Sequence, residues 1–171
     1  MNTAFLFPGQ GSQTPGMGIE LFSQFPDLVK QADEILEYSI VELCKKEDPS
    51  DLNSTNFTQP ALYVVCCLDA MSKIKDGHTP ECAAGHSVGE FAALQSAGAF
   101  SFSEGLQMVA KRGEIMSQVS GGGMAAVIGM EKNAISSILL EQGADQIDLA
   151  NFNSPGQIVI SGPASQITQV L

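Results

Sequence analysis

The sequence runs to 171 residues, long enough for one domain or somewhat more, and 44% of it is hydrophobic with glycine and proline scattered throughout, the texture of an ordinary globular chain. Nineteen acidic against eight basic residues leave a net charge of −11, which argues against a nucleic-acid backbone or an anionic membrane surface as partner. No apolar run approaches the length of a membrane span, and Met1-Asn2-Thr3 lacks the basic start of a signal peptide, so a cytoplasmic protein is expected.

Ala4 to Phe7 is short and apolar, a candidate first strand of a parallel sheet. The glycine-rich loop Pro8-Gly9-Gln10-Gly11-Ser12-Gln13-Thr14-Pro15-Gly16 follows at once. A dinucleotide fingerprint needs a third glycine where Thr14 stands, and no Gly-Lys-Ser/Thr is present, so neither phosphate-binding reading survives. What remains is a loop at the C-terminal end of a strand, where open α/β sheets place their ligands. From Gly18 to about Lys46 the apolar residues recur at helical spacing, with a break at Pro26. Asp48 to Asn56 reads as a polar connector. Thr58 then caps a helix with Pro60 in its first turn, running to about Lys75 with a core-facing stripe of Leu62, Val65, Cys66 and Leu68. Nothing in that helix calls for a catalytic role. His78 falls in a surface loop.

Glu81 to Ala84 reads as a short buried strand, Gly89 to Ala97 as a helix, and Gly85-His86-Ser87-Val88-Gly89 lies at the corner between them. A Gly-x-Ser-x-Gly corner between strand and helix is a nucleophile elbow. The serine takes a strained backbone conformation, and glycines on both sides let neighbouring segments pass close. Its hydroxyl is then presented at a helix N-terminus, where free N–H groups can stabilise an oxyanion. The competing reading is a tight strand–helix turn with a solvated serine.

Ser101-x-x-Glu104 forms a capping box, opening a helix to about Val119 that carries Lys111-Arg112. A basic pair on an amphipathic helix is ordinarily a solvated face. Gly121-Gly122-Gly123 reads as a hinge. Beyond it come a strand over Met124–Ile128, a helix over Glu131–Glu141 and a strand over Ile147–Ala150. A turn at Asn153-Ser154-Pro155-Gly156, a strand over Gln157–Ser161 and a helix from Ala164 complete the chain. That order is a ferredoxin-like split motif without its last strand. The first segment shows two strands, too few for the parallel sheet its helices imply. Both parts read as unfinished, and a longer protein is expected. Cys44, Cys66, Cys67 and Cys82 form no C-x-x-C, and no histidine stands at ligand spacing, so free thiols and no metal site are expected.

Four stretches in register, Phe7-Pro8-Gly9-Gln10-Gly11-Ser12-Gln13, Gly85-His86-Ser87-Val88-Gly89-Glu90, Lys111-Arg112-Gly113 and Asn151-Phe152-Asn153-Ser154-Pro155-Gly156-Gln157, resemble the malonyl-CoA:acyl carrier protein transacylases of fatty-acid and polyketide synthesis. The resemblance implies an α/β fold: an α/β-hydrolase-like large subdomain with an inserted ferredoxin-like small one, both incomplete in this chain. The first part would occupy residues 1–120 and the second residues 124–171. It further implies Ser87 as the nucleophile that takes malonyl as an ester, and the N–H groups of Gln10 and Val88 as the oxyanion hole. Arg112 would hold the malonyl carboxylate, its planar fork suiting a bidentate pair. Asn153 would line the cleft between subdomains. Malonyl-CoA is the implied donor and the phosphopantetheine thiol of an acyl carrier protein the acceptor, with no permanently bound cofactor and a monomeric full-length enzyme.

The family's catalytic histidine lies well downstream of the serine, whereas this chain has only His78 and His86. His86 adjoins Ser87, and neighbouring side chains on extended backbone point to opposite sides, so it reads as a packed support for the elbow. Glu90 reads as structural too. The alternatives are an acyl hydrolase on the same scaffold, and a silent fragment that only binds carrier protein. The local basic spots Lys45-Lys46, Lys73–Lys75 and Lys111-Arg112 are candidates for docking such an acidic partner.

Overall fold

A computed structural model describes residues 3–171; Met1 and Asn2, which carry part of the reading of the chain's start, lie outside the described residues. The chain divides between Gln118 and Val119 into two compact units.

In the first unit, β1 (Ala4–Phe7) pairs in parallel with β2 (Cys82–Gly85), Ala4 opposite Cys82 and Phe7 opposite Gly85. A parallel pair needs a long crossover, and the intervening chain supplies it as α1 (Ile19–Phe22), α2 (Pro26–Leu36), α3 (Ile40–Lys45) and α4 (Thr55–Lys75). Then α5 (Gly89–Ser96) and α6 (Phe102–Ser117) follow β2. The stretch of helical spacing from Gly18 to about Lys46 is three short helices, divided at the expected Pro26 and again after Leu36. Pro26 starts α2 in its first turn, and Glu37, at φ 61°, ends it in the left-handed region. Ser39 opens α3, its Oγ accepting from the Glu42 N–H at 3.3 Å.

The start of α4 also differs from expectation. Its cap is Ser54, so Thr58 sits inside the helix and Pro60 beyond the first turn. The buried Thr58 hydroxyl donates to the Leu52 carbonyl at 2.6 Å, tying the connector to the helix. β2 is not buried: Cys82 and Ala84 are exposed, as is Leu6 on β1 at 78%, while Phe5, Phe7 and Ala83 face the core. Helix α4 is the central element, burying residues from Thr58 to Ala70, and α6 packs against it. Two glycines of α6 permit that approach. A Cβ at Gly105 would collide with the Tyr63 hydroxyl, and one at Gly113 would stand 3.1 Å from the Thr55 carbonyl oxygen. Tyr63 in turn donates to the Phe102 carbonyl at 3.1 Å. The predicted capping box of α6 is complete, with Ser101 and Glu104 bonded reciprocally.

The second unit comprises β3 (Gly122–Ile128), α7 (Lys132–Glu141), β4 (Asp148–Ser154), β5 (Gln157–Pro163) and α8 (Ala164–Val170). Its antiparallel sheet runs β3-β5-β4, with Ile135, Leu139, Ile147, Ile158, Ile160 and Ile167 in its core. Two of the three glycines read as a hinge belong to β3, Gly122 opposite Pro163 and Gly123 opposite Gly162. A Cβ on Gly123 would stand 3.2 Å from the Ala164 Cα, so the start of α8 selects the glycine there. The β4–β5 hairpin turns at Pro155-Gly156, and Asn153 belongs to β4.

Candidate active site

The first unit builds its corner from backbone contacts. The His86 N–H donates to the Phe7 carbonyl at 2.9 Å, continuing the strand pairing one residue past β2. The chain then reverses: Gly89 N–H reaches the His86 carbonyl at 2.9 Å and Glu90 N–H the Ser87 carbonyl at 3.1 Å. Between them Ser87 sits at φ 53°, and among the described residues the only other non-glycine at positive φ is Glu37. Such a backbone costs on the order of 1–3 kcal/mol and persists where the surroundings over-determine it. Here they do. A Cβ on Gly85 would overlap the backbone of Gly89 and Glu90, and one on Gly89 would overlap the Phe7 carbonyl and stand 2.6 Å from that of Pro8. Both glycines of the elbow are dictated sterically.

The loop after β1 lies against this corner. A Cβ on Gly9 would stand 2.6 Å from His86 Nδ1 and 2.7 Å from its carbonyl oxygen, so the ring of His86 packs beside Gly9. Gln10, next in the chain, donates through Nε2 to Thr55 Oγ1 at 3.2 Å, and Gln13 reaches Asn53 at 2.9 Å. The loop is thereby pinned to the start of α4. Val88 is buried and anchors the turn from inside, directly before α5. Ser87 itself is exposed.

Arg112 comes to the serine from α6. Its Nη2 donates to Ser87 Oγ at 3.1 Å, and its Nη1 donates to Gln59 Oε1. Burial pulls the guanidinium below its ordinary pKa and the Glu90 carboxylate pulls it back up; an arginine so placed keeps its charge. The basic pair therefore splits: Lys111 is a solvated residue on Glu114 at 2.8 Å, while Arg112 turns inward. Gln59 is the site residue that the sequence did not reveal. It stands in the helix read as carrying a core-facing stripe and no catalytic role, and its one signal is an amide at the head of the mostly apolar run from Pro60 to Leu68. His78 lies in the turn after α4, its N–H on the Lys73 carbonyl at 3.0 Å. Asn153 belongs to the second unit, where its Nδ2 donates to Gln157 Oε1 at 3.0 Å.

The chemistry open to this arrangement is specific. An exposed hydroxyl stands at the head of a helix with a half-buried cation against it. Such a cation stabilises negative charge on or near the hydroxyl and pairs with a carboxylate through its fork. Among the described residues no group of three His, Cys, Asp or Glu side chains is placed to hold a metal ion, and no helix is long and apolar enough to cross a membrane.

The acyl transferase domain family matches the chain over residues 4–171. The chain belongs to that family. A polyketide biosynthesis malonyl CoA-acyl carrier protein transacylase of Bacillus subtilis (strain 168) is 53% identical over 164 residues, covering 95% of this chain and 57% of the relative. The crystal structure of a malonyl CoA-acyl carrier protein transacylase from Burkholderia pseudomallei superposes with a TM-score of 0.92 at 50% identity, over 99% of this chain and 59% of that one. A type II polyketide synthase malonyl-transacylase in complex with its acyl carrier protein superposes at 0.88 with 34% identity, over 99% and 58%. This acyl transferase chain thus spans a little under three fifths of the length of these relatives. The mixed α/β fold read from the sequence is the fold of those neighbours.

Proposed function

We propose that this chain carries the nucleophile half of a malonyl transfer site. The observation that supports it most is the bond from Arg112 Nη2 to the Oγ of Ser87, a serine held at positive φ on a strand–helix corner. Ser87 Oγ attacks the thioester carbonyl of malonyl-CoA, its proton passes to a base, and the C–S bond breaks to release coenzyme A as the thiol. The N–H groups of Gln10 and Val88 face the tetrahedral oxyanion, and Arg112 pairs with the free malonyl carboxylate. The phosphopantetheine thiol of an acyl carrier protein then attacks the ester and restores the serine hydroxyl. The relative solved with its carrier protein supports that acceptor. Asn153 is assigned to the lining of the substrate cleft, and residues 1–120 and 124–171 to the large and small subdomains. No bound cofactor enters the scheme.

Arg112 also weighs against a plain acyl hydrolase, because a cation beside the serine favours an acyl group that ends in a carboxylate. The assignment of the nucleophile is tested by intact mass after mixing the protein with malonyl-CoA. One malonyl adduct is expected on Ser87, and Ser87→Ala is expected to lose it while keeping its fold. An adduct that persists in that variant on another residue overturns the assignment.

A further inference from the structure

We propose that Gln59 and Met116 are positioning residues for Arg112, and that together they set how strongly the site prefers an acyl thioester bearing a free carboxylate. The inference rests on the reading of Arg112 just given. Gln59 is fully buried on α4 and, with Thr58, is one of two buried polar side chains among the described residues. Thr58 is accounted for by its bond to the Leu52 carbonyl. Gln59 spends both ends of its amide on α6: Oε1 accepts from Arg112 Nη1, and Nε2 donates to Met116 Sδ at 3.3 Å.

The partners decide which way the amide points. A guanidinium only donates and a thioether only accepts, so the carbonyl end must face Arg112 and the NH₂ end Met116. Arg112 and Met116 are four residues apart on one helix and so share a face. The close approach of Gly113 to Thr55 holds that face against α4. The amide is therefore a fixed strut between two residues of the neighbouring helix.

Its consequence concerns the two arms of the fork. Nη1 rests on Gln59 and Nη2 on Ser87. Once Ser87 carries an acyl ester, its oxygen has lost its proton and is a weaker acceptor, which releases Nη2 toward the carboxylate. Nη1 stays on Gln59 throughout and fixes the guanidinium plane. A long side chain already held in place loses less freedom when the carboxylate arrives, and orientation is gained in advance.

The test compares acylation of Ser87 by malonyl-CoA and by acetyl-CoA in the intact protein. Gln59→Leu is expected to raise KM for malonyl-CoA and to lower the malonyl-over-acetyl preference about tenfold, the scale of one hydrogen bond to a charged group, with the acetyl rate falling less than the malonyl rate. Met116→Leu, which keeps the volume, is expected to lower it less. In an Arg112→Ala background, itself expected to lose the preference, Gln59→Leu is expected to change nothing further, since the two act through one interaction. If Gln59→Leu does not fold, Gln59→Glu decides: the same shape now lays a negative charge on Arg112, and the preference is expected to fall. An unchanged preference in whichever variant folds, or equal losses with both thioesters, overturns the positioning role if Arg112→Ala has lost its preference. An Arg112→Ala variant that keeps the preference instead overturns the reading of Arg112 and the inference built on it.

Discussion

At the scale of single residues, burial decides which groups are available for chemistry. Three of the four cysteines are buried and the fourth, Cys82 on β2, is exposed. Burial pushes the Cys66 thiol up to about 11 and the Cys44 thiol to about 12, and raises Cys67 further still. A raised thiol pKa leaves the unreactive protonated form in place well above neutrality, and access is blocked as well. Iodoacetamide at pH 8 is therefore expected to label Cys82 first, with the other three following only on unfolding. Peptide mapping that finds Cys66 or Cys44 modified as fast as Cys82 in the folded protein contradicts this. The role of Gln59 is not legible at this scale. Its position in a helix of core residues is legible, but which buried amide meets an arginine 53 positions away depends on how α4 and α6 pack. Arg112 became legible only through the resemblance, since a Lys-Arg pair by itself reads as a solvated face.

At the scale of elements, the strand–helix corner was the most legible part of the chain, because its glycines answer to backbone sterics within a few residues. The boundaries that moved were set by contacts from farther away. Gly122 and Gly123 read as a hinge because glycine weakens a strand on its own, yet Gly123 is needed in β3 where α8 begins against it. Glu37 carries no local mark of the left-handed turn that ends α2. Two substitutions rank these constraints. Ser101→Ala removes half of a solvent-exposed capping box and is expected to cost about 1 kcal/mol. Gly89→Ala drives a methyl into the Phe7 and Pro8 carbonyls and is expected to cost about 3 kcal/mol or more, with the loop bearing Gln10 displaced as well. Urea unfolding that places Gly89→Ala above Ser101→Ala in stability contradicts the steric account of the elbow.

At the scale of the molecule, a chain of net charge −11 brings one cation to the hydroxyl it presents on a strained turn. The two secondary-structure patterns on either side of residue 120 were visible in the sequence, strand followed by long crossover and then β-α-β-β-α, because hydrophobic periodicity reports each element separately. How α4 and α6 come together was not visible, and that packing is what carries Arg112 to Ser87. The central claim is that this pairing makes Ser87 a site for acyl groups ending in a carboxylate. It is tested most directly by mixing the intact protein with equal concentrations of malonyl-CoA and acetyl-CoA, quenching early, and reading the adduct masses on the peptide that contains Ser87. The account predicts malonyl over acetyl by about two orders of magnitude, the upper scale of hydrogen bonding between a carboxylate and a half-buried guanidinium. Equal adducts on Ser87, or adducts on another residue, would contradict it.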